Sequence, residues 1–221
     1  MIFRSTKTTL GMLSILSVCV SGQAATILTA NITNAAENPP TTPTTSTGAP
    51  RPASFGTGTF VLNDAMTSMT MSVTIFNIDF TGLQTVDVND NLAAAHIHAS
   101  PTATTVNAPV VWGFFGSPFN DNNPNDTVVT PFATGVGGTI TGKWDAPEGN
   151  GTTLTDQLAN ILSGNSYINF HTTQYGGGET RGFLQIVPEP STVLLFGTGF
   201  GGLLALAMRR HRRSGAAIEQ I

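Results

Sequence analysis

TSMTMSVTIFNI, residues 67–78, alternates apolar and hydroxyl-bearing side chains from Met69 to Ile75. A strand turns successive side chains to opposite faces, so this stretch reads as a half-buried β-strand. The same period of two recurs in TILTANIT (26–33), GTGTFVLN (56–63), AAAHIHA (93–99), APVVWGFF (108–115), GTITGKW (138–144), SYINFHT (166–172) and TRGFLQIV (180–187). Each is bounded by Gly, Pro, Asn or Asp, the residues that supply turn dihedrals. Only TLTDQLANIL, 153–162, has helical spacing, with Leu154, Leu158, Ile161 and Leu162 on one face and Thr153 or Thr155 as the cap. Eight strands and one short helix predict an all-β domain over 26–187, an antiparallel β-sandwich or barrel. ENPPTTPTTSTGAPRP, 37–52, taken alone reads as a Pro/Thr linker, and 117–131 as an Asn-rich loop.

Composition agrees with many short strands and turns. Of 221 residues only 10% are charged, and Gly, Pro, Thr and Asn take up the difference. Between Thr26 and Val187 the basic residues are Arg51, Lys143 and Arg181 against eleven acidic ones, a net of −8, so nucleic acid is an unsuited partner. The single cysteine, Cys19, falls in MIFRSTKTTLGMLSILSVCVSGQAA, whose basic start, apolar centre and small residues near Ala24 read as a secretory signal peptide over 1–25, for export through the Sec translocon. The mature chain would then have no disulfide and no thiolate ligand.

At the other end, Ser191 to Met208 is uncharged and would reach about 27 Å as a helix, enough for a thin bilayer. Arg209, Arg210, Arg212 and Arg213 follow and would hold that end in the cytoplasm, with 214–221 as a short tail there. Pro188, Glu189 and Pro190 stand just before the helix, where two prolines keep the backbone extended. Pro-Glu-Pro, apolar helix and arginine cluster over 188–213 together resemble the PEP-CTERM sorting signal of Gram-negative bacteria. That resemblance implies recognition by an exosortase, a membrane-embedded cysteine protease-transpeptidase, cleavage near the tripeptide, and delivery from an inner-membrane precursor to the cell surface or extracellular matrix.

A second resemblance covers nearly all of 26–187. ILTANITNAAENPP, Ser46-Thr47-Gly48, His96-Ile97-His98, Asn169-Phe170-His171-Thr172 and Gly177-Gly178-Glu179-Thr180-Arg181-Gly182 are similar in order and type to the CHRD domain, named from chordin. It implies one domain with an immunoglobulin-like or superoxide-dismutase-like β-sandwich. Copper/zinc superoxide dismutases place an H-x-H pair on one strand, a further His on a late strand and an Arg beyond, the order of His96, His98, His171 and Arg181.

Alternation puts His96 and His98 on one strand face, roughly 6.5–7 Å apart along the chain. Neutral imidazoles so placed can chelate copper or zinc if a neighbouring strand brings His171. The same residues, with Glu179, Arg181 and Asn169, can instead form a buried hydrogen-bond network that fixes the packing. Metal binding would weaken as pH falls through about 6.5, the ordinary histidine value. Tyr167, Asn169 and His171 share one face of their strand, and Ile168 and Phe170 the other. No further His or Asp arranged as a zinc site and no cysteine pair accompany the trio, so dismutase catalysis is not expected. FNDNNPNDT, 119–127, and DVNDN, 87–91, lack the Gly and Glu of a calcium loop, and Trp112 and Trp144 read as core aromatics. The expected function is non-enzymatic: an exported module with a structural, adhesive or binding role at the surface or in the matrix. A metal-binding, redox-related envelope domain is the alternative.

Overall fold

The computed structural model describes residues 25–188. Its strands are β1 (Thr26–Thr33), β2 (Phe55–Leu62), β3 (Ser68–Phe76), β4 (Leu92–Ala99), β5 (Val110–Phe115), β6 (Val128–Pro131), β7 (Gly137–Asp145), β8 (Ser166–Thr172), β9 (Thr180–Phe183) and β10 (Gln185–Ile186). Alternation builds the inner surface: Leu28, Ala30 and Ile32 of β1, Phe60 and Leu62 of β2, and Met69, Met71, Val73 and Ile75 of β3 are all buried. Their neighbours Thr57, Thr59, Thr70 and Ser72 face solvent.

All ten strands belong to one antiparallel sheet in the order β5-β4-β8-β9-β1-β2-β3-β7-β6, with β10 also on β1. The expected antiparallel β-sandwich or barrel is realised as one curled sheet, a half-barrel. The curl is visible in the core, where Trp112 of β5 stacks on Trp144 of β7 with ring centres 5.5 Å apart and planes 4° apart. These strands lie near opposite ends of the order, and one apolar cluster draws on both. The segment expected as a single strand over 180–187 makes the corner. Its first part pairs with β8, and Leu184 N–H still reaches Ser166 O at 3.0 Å. Gln185 and Ile186 then pair with Thr29 and Leu28 of β1. Only Thr33 and Arg181 are register partners between β1 and β9, so the joint is narrow enough to fold the sheet over.

Two further differences from expectation have local causes. The edge strand β6 lies in the stretch read as a loop, because a mostly exposed strand carries no apolar alternation. Helix α1 (Leu154–Leu162) is capped by Thr153 through a reciprocal capping box with Asp156. It buries Leu154 and Ile161, while Leu158 only packs against the core and Leu162 is exposed.

Among the described residues no helix is long and apolar enough to cross a membrane. The expected span 191–208, Glu189, Pro190, the four arginines, the cytoplasmic tail and the signal peptide up to Ala24 lie outside those residues.

Candidate metal centre

Strand β4 turns Ala95, Ile97 and Ala99 into the core and His96 and His98 to the other face. Its neighbour β8 places Tyr167 opposite His98, Asn169 opposite His96 and His171 opposite Ala94. The third histidine thus sits one row away on the same face. Register shifts just before His96 and just before His98 fit β4 to β5, where Gly113 lies opposite His96. A Cβ on Gly113 would come 1.9 Å from Pro118 O and 3.1 Å from the His96 ring. Only glycine lets the 116–118 turn close over that imidazole.

This face is covered. His96, His98 and His171 are 4%, 7% and 7% exposed. Their ligand nitrogens all lie within 4.8 Å of one another. His98 Nδ1–H donates to Ala108 O at 2.8 Å, and His171 Nδ1–H donates to Gly176 O at 3.0 Å. Because a carbonyl only accepts, both rings carry their proton on Nδ1 and keep a lone pair on Nε2. His96 Nδ1 lies 3.2 Å from His171 Nε2 and donates to it when no metal is bound. Two ligands at 2.0–2.1 Å on a tetrahedral ion stand roughly 3.3 Å apart, so this pair already has the spacing of two donors on one metal. Among the described residues His96 Nε2 and His98 Nε2 are buried without a hydrogen-bond partner.

Burial pushes His96 down from 6.5 to about 3, helped by the neighbouring His171 and His98 and opposed by the Ser117 backbone. His98 is pushed to about 4, again by burial first, against its bond to Ala108. His171 is also lowered by burial, opposed by its bond to Gly176 and by the Glu37 charge. Burial thus favours the neutral, coordinating form of all three rings below the ordinary histidine value. Competition from protons would then set in below the ordinary histidine value from which the sequence reading started.

The polar residues expected to form one network with the histidines do not do so directly. Glu179 is fully buried and holds Arg51, Ser54 Oγ and Thr172 Oγ1, the last at 2.6 Å. Arg181 pairs with Glu37, its Nε reaching Oε1 at 2.9 Å, and donates to Asn107 Oδ1 at 2.6 Å. The two charges of the GGETRG segment are thus matched by two opposite charges on 37–52. That segment is a strap across the polar face, and its Thr41 Oγ1 also donates to Glu179 O at 2.6 Å. Arg181 touches the histidines only through Tyr167: its guanidinium lies 4.2 Å over the Tyr167 ring, which stacks on His98 at 4.9 Å. Asn169 is buried beneath Gly178 with its Oδ1 unpartnered.

Glu37, Arg51, Asn107 and the carbonyls of Ala108 and Gly176 were hidden from sequence reasoning. The acid of E-x-PP, facing an Arg of GGE-x-RG, was the one available signal for the Glu37 pair. Backbone acceptors leave no residue-type signal. The remaining expectations stand as loop and core chemistry. Asp121 caps its own loop through Asp126 N–H and Thr127 Oγ1, and Trp112 and Trp144 are fully buried. Lys143 is held by Asp126 at 2.9 Å, so all three basic side chains of the described residues are ion-paired.

Comparison with known proteins gives two family matches. The CHRD domain matches residues 28–184, and the PEP-CTERM protein-sorting motif matches 187–213. The first covers well over half of the chain, which therefore belongs to the CHRD domain family. The second implies export and processing by an exosortase. No curated protein and no solved structure matches.

Proposed function

We propose that this CHRD-domain chain works outside the cell, in the surface layer or matrix, as a non-catalytic module that binds one copper or zinc ion through His96, His98 and His171. The sorting motif supports the location. In this reading the uncharged stretch 191–208 holds the precursor in the inner membrane until cleavage near Pro188. One observation carries the metal reading: three buried imidazoles converge within 4.8 Å, and His98 and His171 have Nδ1–H held by backbone carbonyls so that each Nε2 lone pair faces the cluster. A purely structural network would use every ring nitrogen, yet only the His96–His171 contact is made within the cluster, and His98 Nε2 and His96 Nε2 bond to nothing among the described residues. The matching of Glu37 to Arg181 and Arg51 to Glu179 supports a rigid scaffold that carries the site rather than a reacting group within it.

The test is copper and zinc content, with thermal unfolding measured with and without chelator, for the wild-type chain and His98→Ala. A bound ion raises the midpoint in proportion to the logarithm of ligand over Kd, roughly 2.7 kcal/mol at a hundredfold excess. His98→Ala should lose both the ion and that increment. A wild-type chain with no metal and a chelator-insensitive midpoint would overturn the reading.

A further inference from the structure

Resting on the metal reading above, we infer that the three-histidine site selects monovalent copper over divalent zinc or divalent copper. The donor set is the first reason. Every ligand is an uncharged nitrogen, and among the described residues no Asp, Glu or Cys joins the cluster. An ion placed there keeps its full charge in a nearly dry site. The cost of burying charge grows with its square, so a monovalent ion pays about a quarter of the desolvation of a divalent one.

The surroundings do not supply the missing negative charge. Glu37, the acid that acts on His171, is already engaged by Arg181. The Arg181 cation itself stands behind the Tyr167 ring stacked on His98.

Coordination number is the second reason. Zinc in proteins is almost always four-coordinate, its fourth ligand in open sites being water or substrate. Here, among the described residues, the third donor is the last one, and protein lies against two of the three rings. The Gly113 to Pro118 turn lies against His96, and Tyr167 covers His98. Monovalent copper shares the filled d shell of divalent zinc but, with half its charge, is satisfied by three nitrogens or fewer, with no demand for a fourth ligand. Binding needs one tautomer change: the His96 proton moves from Nδ1 to the free Nε2, and Nδ1 joins His98 Nε2 and His171 Nε2 on the ion.

The full-length chain is titrated without oxygen with copper(I) against bicinchoninate, and separately with zinc(II) and copper(II) against chelators of known affinity. One copper(I) per chain is expected, held on the order of a thousandfold tighter than zinc(II). His98→Gln should weaken copper(I) at least roughly a hundredfold. His96→Asp puts one negative oxygen into the donor set and should reverse the order, zinc(II) gaining while copper(I) is lost. A variant that only loosened packing would weaken both metals together. Zinc(II) or copper(II) bound as tightly as copper(I) by the wild type overturns the selectivity and leaves metal binding standing. Failure of all three ions to bind the wild type overturns both. If His98→Gln does not fold, the wild-type affinities and His96→Asp still decide.

Discussion

β3 and β8 lie in the same sheet and both alternate polar with apolar residues, yet their outer faces meet different fates. On β3, Thr70 and Ser72 are open to solvent, whereas every residue of β8 is buried. The difference comes from what crosses over them. Among the described residues nothing covers the middle of β3. The polar face of β8 lies beneath the 37–52 strap and against Asn107 and Ala108, which bond to Arg181, His98 and Tyr167. A polar residue at an alternate position therefore does not announce exposure. Where a strap closes over such a row, the row must be satisfied internally, and that requirement produced two buried ion pairs and left free imidazole nitrogens.

Ion pairs give the widest separation between the two faces. Arg181→Ala leaves the Glu37 carboxylate buried and uncompensated and should cost about 3–5 kcal/mol in urea unfolding. Lys143→Ala, removing a solvent-screened cation from Asp126 and Asp145, should cost far less. Equal losses for the two variants would break the contrast. The double variant Glu37→Gln with Arg181→Met should cost much less than the single variants combined, because it removes the stranded charge along with the pair.

Acid titration sharpens the same contrast. Folded His96 and His98 hold pKa values of about 3 and about 4, below the unfolded 6.5, and His171 is lowered too. Below pH 6.5 the unfolded chain therefore binds more protons than the folded one, and stability should fall as pH drops from 6.5 toward 4. Each histidine contributes at most about 1.4 kcal/mol per pH unit. Metal-free protein with His96→Gln should show a shallower slope in that window. An unchanged slope would mean that the covered face is wetter than its burial indicates.

The smallest effect belongs to the open face. Ser72→Ala and Thr57→Ala should each shift stability by no more than about 0.5 kcal/mol, since neither side chain is covered. A loss above about 1 kcal/mol in chemical unfolding would show that this face is partnered as well.

Much of the architecture was legible because it is written in short periods. Alternation located the strands from β1 to β5 and β7 to β9 within a few residues, and of the two caps offered for α1, Thr153 and Thr155, the structure uses Thr153. His96 and His98 shared a face by the same rule. β6 was missed because an exposed edge has no inner face to mark it, and β9 and β10 were fused because a strand that changes partners keeps its residue pattern while its hydrogen bonds turn.

The site divides along the same line. The sequence by itself determined which side chains could chelate: an H-x-H pair, a third histidine on a late strand, and no thiolate among the described residues. It also determined that the working domain carries few charges. Only the tertiary structure decided that the three rings meet, that Ala108 and Gly176 hold two of their protons, and that burial keeps them neutral. It also decided that Glu37 and Arg181 pair across 144 residues of chain. Periodicity is a local property of the backbone, read within one element. Convergence, burial and pKa depend on contacts between segments far apart in sequence, and these exist only once the sheet has curled and the strap has closed over β8.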